Sequence, residues 1–261
     1  MENALTVTLL QLDLHWQNPP ANCAAIEARL AQVPIATDLI VLPEMFSTGF
    51  SLEAAALAEP MHGPTVAWMQ RTAAAFAAVV TGSLIIRDEA GHYRNRLLWV
   101  RPDGSLDYYD KRHLFGFAHE PDHYAPGTAR LVQEWRGWRI CPLVCYDLRF
   151  PVWSRNTPAQ PYDLLLYVAN WPAARRTAWN ALLRARAIEN VAYCLGVNRV
   201  GTDGPGHDYV GDSAVVNMRG DYLVQAGNVE LCLTRTLSLK ELQDFRAHFP
   251  ALEDADAFEL L

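Results

Sequence analysis

The chain has 261 residues, 51% hydrophobic and 20% charged, with a formal charge of -7. That balance describes a soluble globular protein able to bury a large core, and excludes a disordered segment. With no Lys/Arg-rich run it offers no basic surface to nucleic acid, so a small molecule is the expected ligand.

The opening "MENALTVTLLQLDLHW" carries an acid at position 2 and alternates apolar with polar residues, which predicts a strand over Leu5 to Leu12 rather than a secretory leader. Helical spacing follows from Ala21 to Val33 behind a proline pair, then a short strand from Leu39 to Leu42. A second proline-led helix, Thr65 to Ala78, precedes a strand from Val79 to Ile86. The apolar run Thr72 to Ile86 is broken by Gly82 and Ser83 and is too short for a membrane span. "RDEAGHYRNRLLWVRPDGSLDYYD" reads as hairpin turns around a strand from Leu97 to Val100. Further strands are expected at Ile140 to Val144, Leu164 to Val168, Ala192 to Val197 and Ser213 to Val216, with a helix from Arg176 to Val191. Ser238 and Glu241 form a capping pair for a last short helix, followed by an acidic tail. Alternating strands and helices predict an α/β layered fold with a mixed sheet. No linker or internal repeat divides the sequence, so one domain over 1–261 is expected.

Five scattered cysteines, Cys23, Cys141, Cys145, Cys194 and Cys232, contain no CxxC pair and indicate neither a disulfide framework nor a zinc ribbon. The expected compartment is the reducing cytoplasm. Cys141, Cys194 and Cys232 lie within apolar strands and read as packing residues. Cys145 lies at a strand end, in "PLVCYDLRFP", as do Glu44 in "DLIVLPEMFSTGF" and Lys111 in "YDKRHLF". Singly, each has an ordinary explanation: a packed thiol, a helix-start acid, a surface lysine. Together, a carboxylate can take the thiol proton while an ammonium stabilises the thiolate and the oxyanion formed on attack at a carbonyl. Such a trio needs no metal or other cofactor.

The segments "LLQLDLHWQNPPANCAAI", "LPEMFSTGF", "DKRHLF", "CYDLRFP", "NWP", "LLRARAIEN" and "GVNRVG" follow one another over nearly the whole chain. In this the sequence resembles the nitrilase, or carbon-nitrogen hydrolase, superfamily. The resemblance implies a four-layer α-β-β-α sandwich with a Glu-Lys-Cys triad at Glu44, Lys111 and Cys145. It also implies a second glutamate, for which Glu120 in "FAHEPDHYAPG" stands in the expected place. "DKRHLF", "HEPDHYAPG" and "NWPAAR" look most like the omega-amidase branch, which hydrolyses the side-chain amide of keto acid monoamides such as 2-oxoglutaramate and 2-oxosuccinamate. A homo-oligomer, commonly a dimer, is implied as well.

On that reading Cys145 attacks the amide carbon, and Lys111 and the backbone N–H of Tyr146 hold the oxyanion. Glu44 or Glu120 then activates water against the thioester. Arg175 in "NWPAARRTAW" is expected to contact the substrate carboxylate, with Phe117 and Trp171 as apolar walls. Arg149 is a weaker candidate, because Asp147 or another acid could take it. Another amide or N-carbamoyl-amine specificity is the alternative. More distant ones are a Cys-His hydrolase using His113 or His123, an inactive binding protein on the same fold, and a zinc hydrolase. The last rests on "HEPDH", where His119, Glu120 and His123 match HExxH, against which Pro121 and Pro126-Gly127 oppose a helix.

Overall fold

The computed structural model describes residues 4–33 and 36–258. The acid at position 2 and the last three residues of the acidic tail lie outside the described residues. In chain order the strands are β1 (Ala4–Gln11), β2 (Leu39–Val41), β3 (Val79–Arg87), β4 (Tyr93–Val100), β5 (Leu106–Asp110), β6 (Gln133–Trp135) and β7 (Trp138–Val144). They continue as β8 (Leu164–Val168), β9 (Tyr193–Val197), β10 (Val200–Thr202), β11 (Asp208–Val210), β12 (Ala214–Val216), β13 (Tyr222–Gln225) and β14 (Leu231–Ser238). The α-helices are α1 (Pro19–Leu30), α2 (Ala54–Leu57), α3 (Pro64–Phe76), α4 (Pro151–Ser154), α5 (Arg176–Glu189) and α6 (Leu239–His248).

Two six-stranded sheets form, in the orders β14-β1-β2-β3-β4-β5 and β13-β12-β9-β8-β7-β6, with β10 and β11 as a separate hairpin. Strands β1, β2 and β3 run parallel, as do β7, β8 and β9, and the outer neighbours in both sheets are antiparallel. The two sheets therefore share one pairing scheme although the residues show no repeat.

The period-two alternation of the strands decides the layering. Leu5, Val7, Leu9, Leu39, Val41 and Trp99 share a core with Ile140, Val144, Leu164 and Leu166 of the second sheet. The opposite face, with Leu10, Ile40, Leu42, Val80 and Leu98, packs on Ile26 and Leu30 of α1 and on Val66, Met69 and Ala73 of α3. On the second sheet, α5 presents Trp179, Leu183 and Ala187. Helix α5 comes so near β9 that a Cβ on Gly196 would stand 2.5 Å from Leu183 Cδ1. The result is the expected α-β-β-α sandwich.

The expected strands and long helices are present within a few residues of their predicted ends. Strand β6, hairpin β10–β11 and strands β13 and β14 went unread. In β14, Leu231, Leu233, Arg235 and Leu237 share one face and Thr234 and Thr236 the other, where their hydroxyls pair with Thr8 and Thr6 across the ladder at 2.9 and 3.0 Å. Of the cysteines read as packing residues, Cys141 and Cys194 are fully buried and Cys232 only partly. Ser238 caps α6 by accepting from the Glu241 amide at 3.2 Å, and Ala251 and Leu252 beyond it pack back on the core.

Candidate active site

Parallel strands direct their carboxyl ends to one edge of a sheet, where sites are commonly built. Glu44 follows β2, Cys145 follows β7 and Asn170 follows β8, while Lys111 follows the antiparallel β5. Stacking the sheets brings these four ends together. Cys145 starts a 3-10 turn over Cys145–Arg149 with a backbone φ of 44°. A side chain in that left-handed region is strained, and such strain is characteristic of functional turns. The first amides of a helical turn have no partner within it, which leaves the Tyr146 N–H available beside the thiol.

Lys111 is the centre of the charge arrangement. Its Nζ donates to Glu44 Oε1 at 2.9 Å and to both Glu120 oxygens at 2.9 and 3.1 Å. Lys111 is 1% exposed and both carboxylates 0%. Asn95, buried in β4, donates from Nδ2 to Glu44 Oε1 at 2.8 Å and to Glu120 Oε1 at 3.1 Å. The backbone amide of Asn170 donates to Glu44 Oε2 at 2.8 Å. The Cys145 thiol lies 3.9 Å from the Asn170 carbonyl, with the Glu44 charge near enough to raise its pKa.

Burial would lower the Lys111 pKa, but the Glu120 and Glu44 charges outweigh it and hold the ammonium above its ordinary value. Burial, with Glu44 nearby, pushes the Glu120 carboxyl up. Burial and then the Glu44 charge push the Cys145 thiol well above its ordinary range, against the pull of Lys111. The resting sulfur is therefore a thiol, with the Glu44 charge nearby.

A second network joins the loops that carry Lys111 and Cys145. The fully buried Asp147 carboxylate accepts from the His113 amide at 3.0 Å and ring Nδ1 at 2.8 Å. Its other oxygen accepts from Tyr109 Oη at 2.8 Å and the Val144 amide at 3.0 Å. All four partners are donors, so in Asp147→Asn the new NH2 faces donors. We expect this variant to lose about 2 kcal/mol of stability or more, with kcat falling further than KM rises as the two loops drift apart. Thermal unfolding and steady-state kinetics check both.

The Cys-His alternatives are corrected by this geometry. The His113 ring is held by Asp147 and stacks on Phe150 with centroids 3.8 Å apart, and His123 is exposed. The HExxH reading fails too. His119 has a φ of 59° and precedes a three-residue 3-10 turn, and the Glu120 carboxylate turns inward to Lys111 while His119 faces solvent. The two histidines therefore do not share the face of an α-helix.

The site opens into a cavity of about 670 Å³ with Glu44, Lys111, Cys145 and Asn170 among its lining residues. Its walls include Trp16, Phe50, Phe115, Tyr146 and Trp171, with Asp203, His207 and Tyr209 from the β10–β11 hairpin segment. Phe117 lines it from a position 82% exposed, whereas Trp171 is buried. Arg175 and Arg149 also line it. Arg149 makes no pair with Asp147, contrary to one reading of its motif, and lies instead over the Trp171 ring at 5.1 Å. Among the described residues no group of three His, Cys, Asp or Glu is placed to hold a metal ion. Asn95, Asn170 and Asp147 carry contacts that sequence reasoning did not assign. The one available signal was a polar residue inside or just after an apolar strand.

Known proteins match this chain end to end. A family model described as carbon-nitrogen hydrolase matches residues 6–247. Omega-amidase YafV of Escherichia coli (strain K12) is 50% identical over 257 residues, with 98% of each chain covered. 2-Oxoglutaramate amidase of Bacillus subtilis (strain 168) is 28% identical, covering 95% of this chain and 96% of its own. Among solved structures, XC1258 from Xanthomonas campestris, a CN-hydrolase superfamily protein with an arsenic adduct in its active site, is 49% identical with a TM-score of 0.96. It covers 98% of this chain and 99% of its own. By sequence along almost its whole length and by fold, the chain belongs to the carbon-nitrogen hydrolase family.

Proposed function

We propose that this chain is an omega-amidase, hydrolysing the side-chain amide of α-keto dicarboxylate monoamides such as 2-oxoglutaramate to the keto acid and ammonia. One observation carries the chemistry: a cysteine thiol, a buried carboxylate and an ammonium line one cavity, and a second buried carboxylate pairs with the same ammonium. The relatives named omega-amidase and 2-oxoglutaramate amidase supply the substrate class.

In the reaction, Glu44 takes the Cys145 proton as the sulfur attacks the amide carbon. A thiol held above its ordinary pKa needs that base at the moment of attack. The oxyanion forms against the Lys111 ammonium and the Tyr146 N–H, a kind of donor worth about 100- to 1,000-fold in rate. The C–N bond then breaks with the Glu44 proton going to nitrogen, which leaves ammonia and an acyl thioester. Water, deprotonated by Glu44 or Glu120, adds to the thioester and frees the acid and the thiol. Arg175, with its guanidinium over the rings of Phe115 and Phe117 at 5.1 and 5.6 Å, takes the far carboxylate.

The chain acts as one catalytic domain over 1–261, in the cytoplasm and as a homodimer. Supporting this are the near full-length family match and the resemblance set out above. No helix among the described residues is long and apolar enough to cross a membrane.

The test is ammonia release from 2-oxoglutaramate, beside butyramide and a simple nitrile, with and without a chelator. Release that favours the keto acid amide and ignores the chelator is the expected result. Turnover of butyramide alone would keep the chemistry and reject the specificity, and chelator-sensitive release would reject the metal-free mechanism.

A further inference from the structure

Arg149 and Arg175 line the same cavity as Cys145, and among the described residues neither guanidinium has a hydrogen bond or an ion pair. Of the acids that line or adjoin the cavity, Glu53 is exposed and pairs with neither arginine, and the others are engaged elsewhere. Asp147 serves His113, Tyr109 and Val144, and Asp203 accepts from Tyr209 Oη at 2.8 Å and pairs with His207. Glu44 and Glu120 hold Lys111. The neighbouring Arg176, by contrast, is tied to Asp212, and Arg199 to Asp13.

Aromatic faces hold the two free cations instead. Arg149 lies over Trp171 at 5.1 Å, and Arg175 over Phe115 at 5.1 Å. Trp171 joins them, with its ring beneath Arg149 and its Nε1 donating to the Arg175 carbonyl at 2.8 Å. A stacked guanidinium keeps its in-plane N–H donors free, and that edge fits a carboxylate.

We infer that Arg149 is a specificity-determining residue which, with Arg175, forms a two-guanidinium clamp for the α-keto carboxylate end of the substrate. This rests on the omega-amidase reading and deepens it. An α-keto carboxylate presents three acceptor oxygens, more than one fork can satisfy. A neutral acyl chain leaves both cations partly desolvated and unpaired, so the clamp selects against plain amides as well as for anionic ones. It also opposes an α-ammonium, which disfavours glutamine, the amino counterpart of the same carbon skeleton.

The experiment compares kcat/KM for 2-oxoglutaramate with kcat/KM for butyramide in wild type, Arg149→Gln and Arg149→Lys, with thermal unfolding as the folding control. In Arg149→Gln the preference for the keto acid amide is expected to fall about 10- to 100-fold, mainly through KM, as for loss of a charge-assisted hydrogen-bonded pair. Arg149→Lys, which keeps the charge without the fork, should fall between. Equal losses on both substrates would leave the ratio unchanged and reduce Arg149 to a packing role, overturning the clamp while the omega-amidase reading stands. A wild type that turns over butyramide but not 2-oxoglutaramate rejects that reading instead. The clamp is then decided by whether 2-oxoglutarate protects Cys145 from iodoacetamide. Protection in wild type that is lost in Arg149→Gln supports it, and no protection in wild type overturns it.

Discussion

Cys145→Ala lowers ammonia release by about 10,000-fold or more, because no other nucleophile stands beside Glu44 and Lys111 to form the acyl intermediate. The change removes a thiol from a strained turn and leaves the Glu44, Lys111 and Glu120 contacts in place, so the unfolding midpoint should move little. Glu44→Gln is the more informative companion. Hydrolysis should fall about 100- to 10,000-fold, since the thiol loses its base and the departing nitrogen its acid. Alkylation of Cys145 by iodoacetamide needs only thiolate and no protonated leaving group. The Glu44 charge is a principal reason the thiol is held up, with Lys111 pulling the other way. Removing that charge brings the thiol down, so at a given pH the thiolate fraction of Glu44→Gln is higher than in wild type. Alkylation measured from pH 6 to 10 should rise with pH in both proteins, with the variant's curve displaced to lower pH. A parallel fall in alkylation and hydrolysis would mean that Glu44 holds the turn in shape and does not move the proton.

The main outline of this site was legible because Glu44 and Cys145 stand just past apolar strands and Lys111 just past the hairpin strand β5, and their residue types make sense together. What was hidden depended on contacts between distant segments. Asn95 lies inside "YRNRLLWV", where nothing local marks it as the donor that joins Glu44 to Glu120. Arg149 has Asp147 as its nearest acid in sequence, yet the fold commits that carboxylate to Tyr109, His113 and Val144 and leaves the arginine to the cavity. "HEPDH" matches a zinc motif as a string, but Pro121 and the left-handed His119 prevent the helical turn the motif requires. β14 escaped notice for a related reason: its partner β1 lies 230 residues away at the Thr6–Thr236 pair, and Arg235 interrupts the leucine face that would have marked it.

Lys111→Met should produce a stability defect that grows with pH. One ammonium lies 2.9 Å from Glu44 Oε1 and 2.9 Å from Glu120 Oε2, and neither carboxylate reaches solvent. Removing one partner of a buried pair costs about 3–5 kcal/mol, largely from the charge left behind, and here two acids lose the same partner. The cheapest response is for a carboxyl to keep its proton. Glu120 is already pushed up by burial, with Lys111 opposing, and without Lys111 it rises further. An acid whose folded pKa exceeds its unfolded value of about 4.3 binds more protons folded than unfolded, so stability declines as pH climbs from there toward the folded value. The unfolding midpoint of Lys111→Met should therefore lie closer to wild type at pH 5 than at pH 8. Hydrolysis should be lost about 100-fold or more throughout, because the oxyanion has lost a donor. Adding Glu120→Gln removes one stranded charge and should recover part of the stability at pH 8 while activity stays low. A deficit equal at pH 5 and pH 8 would mean that Lys111 stabilises through its aliphatic packing, and that the carboxyls facing it carry no net charge in the folded protein.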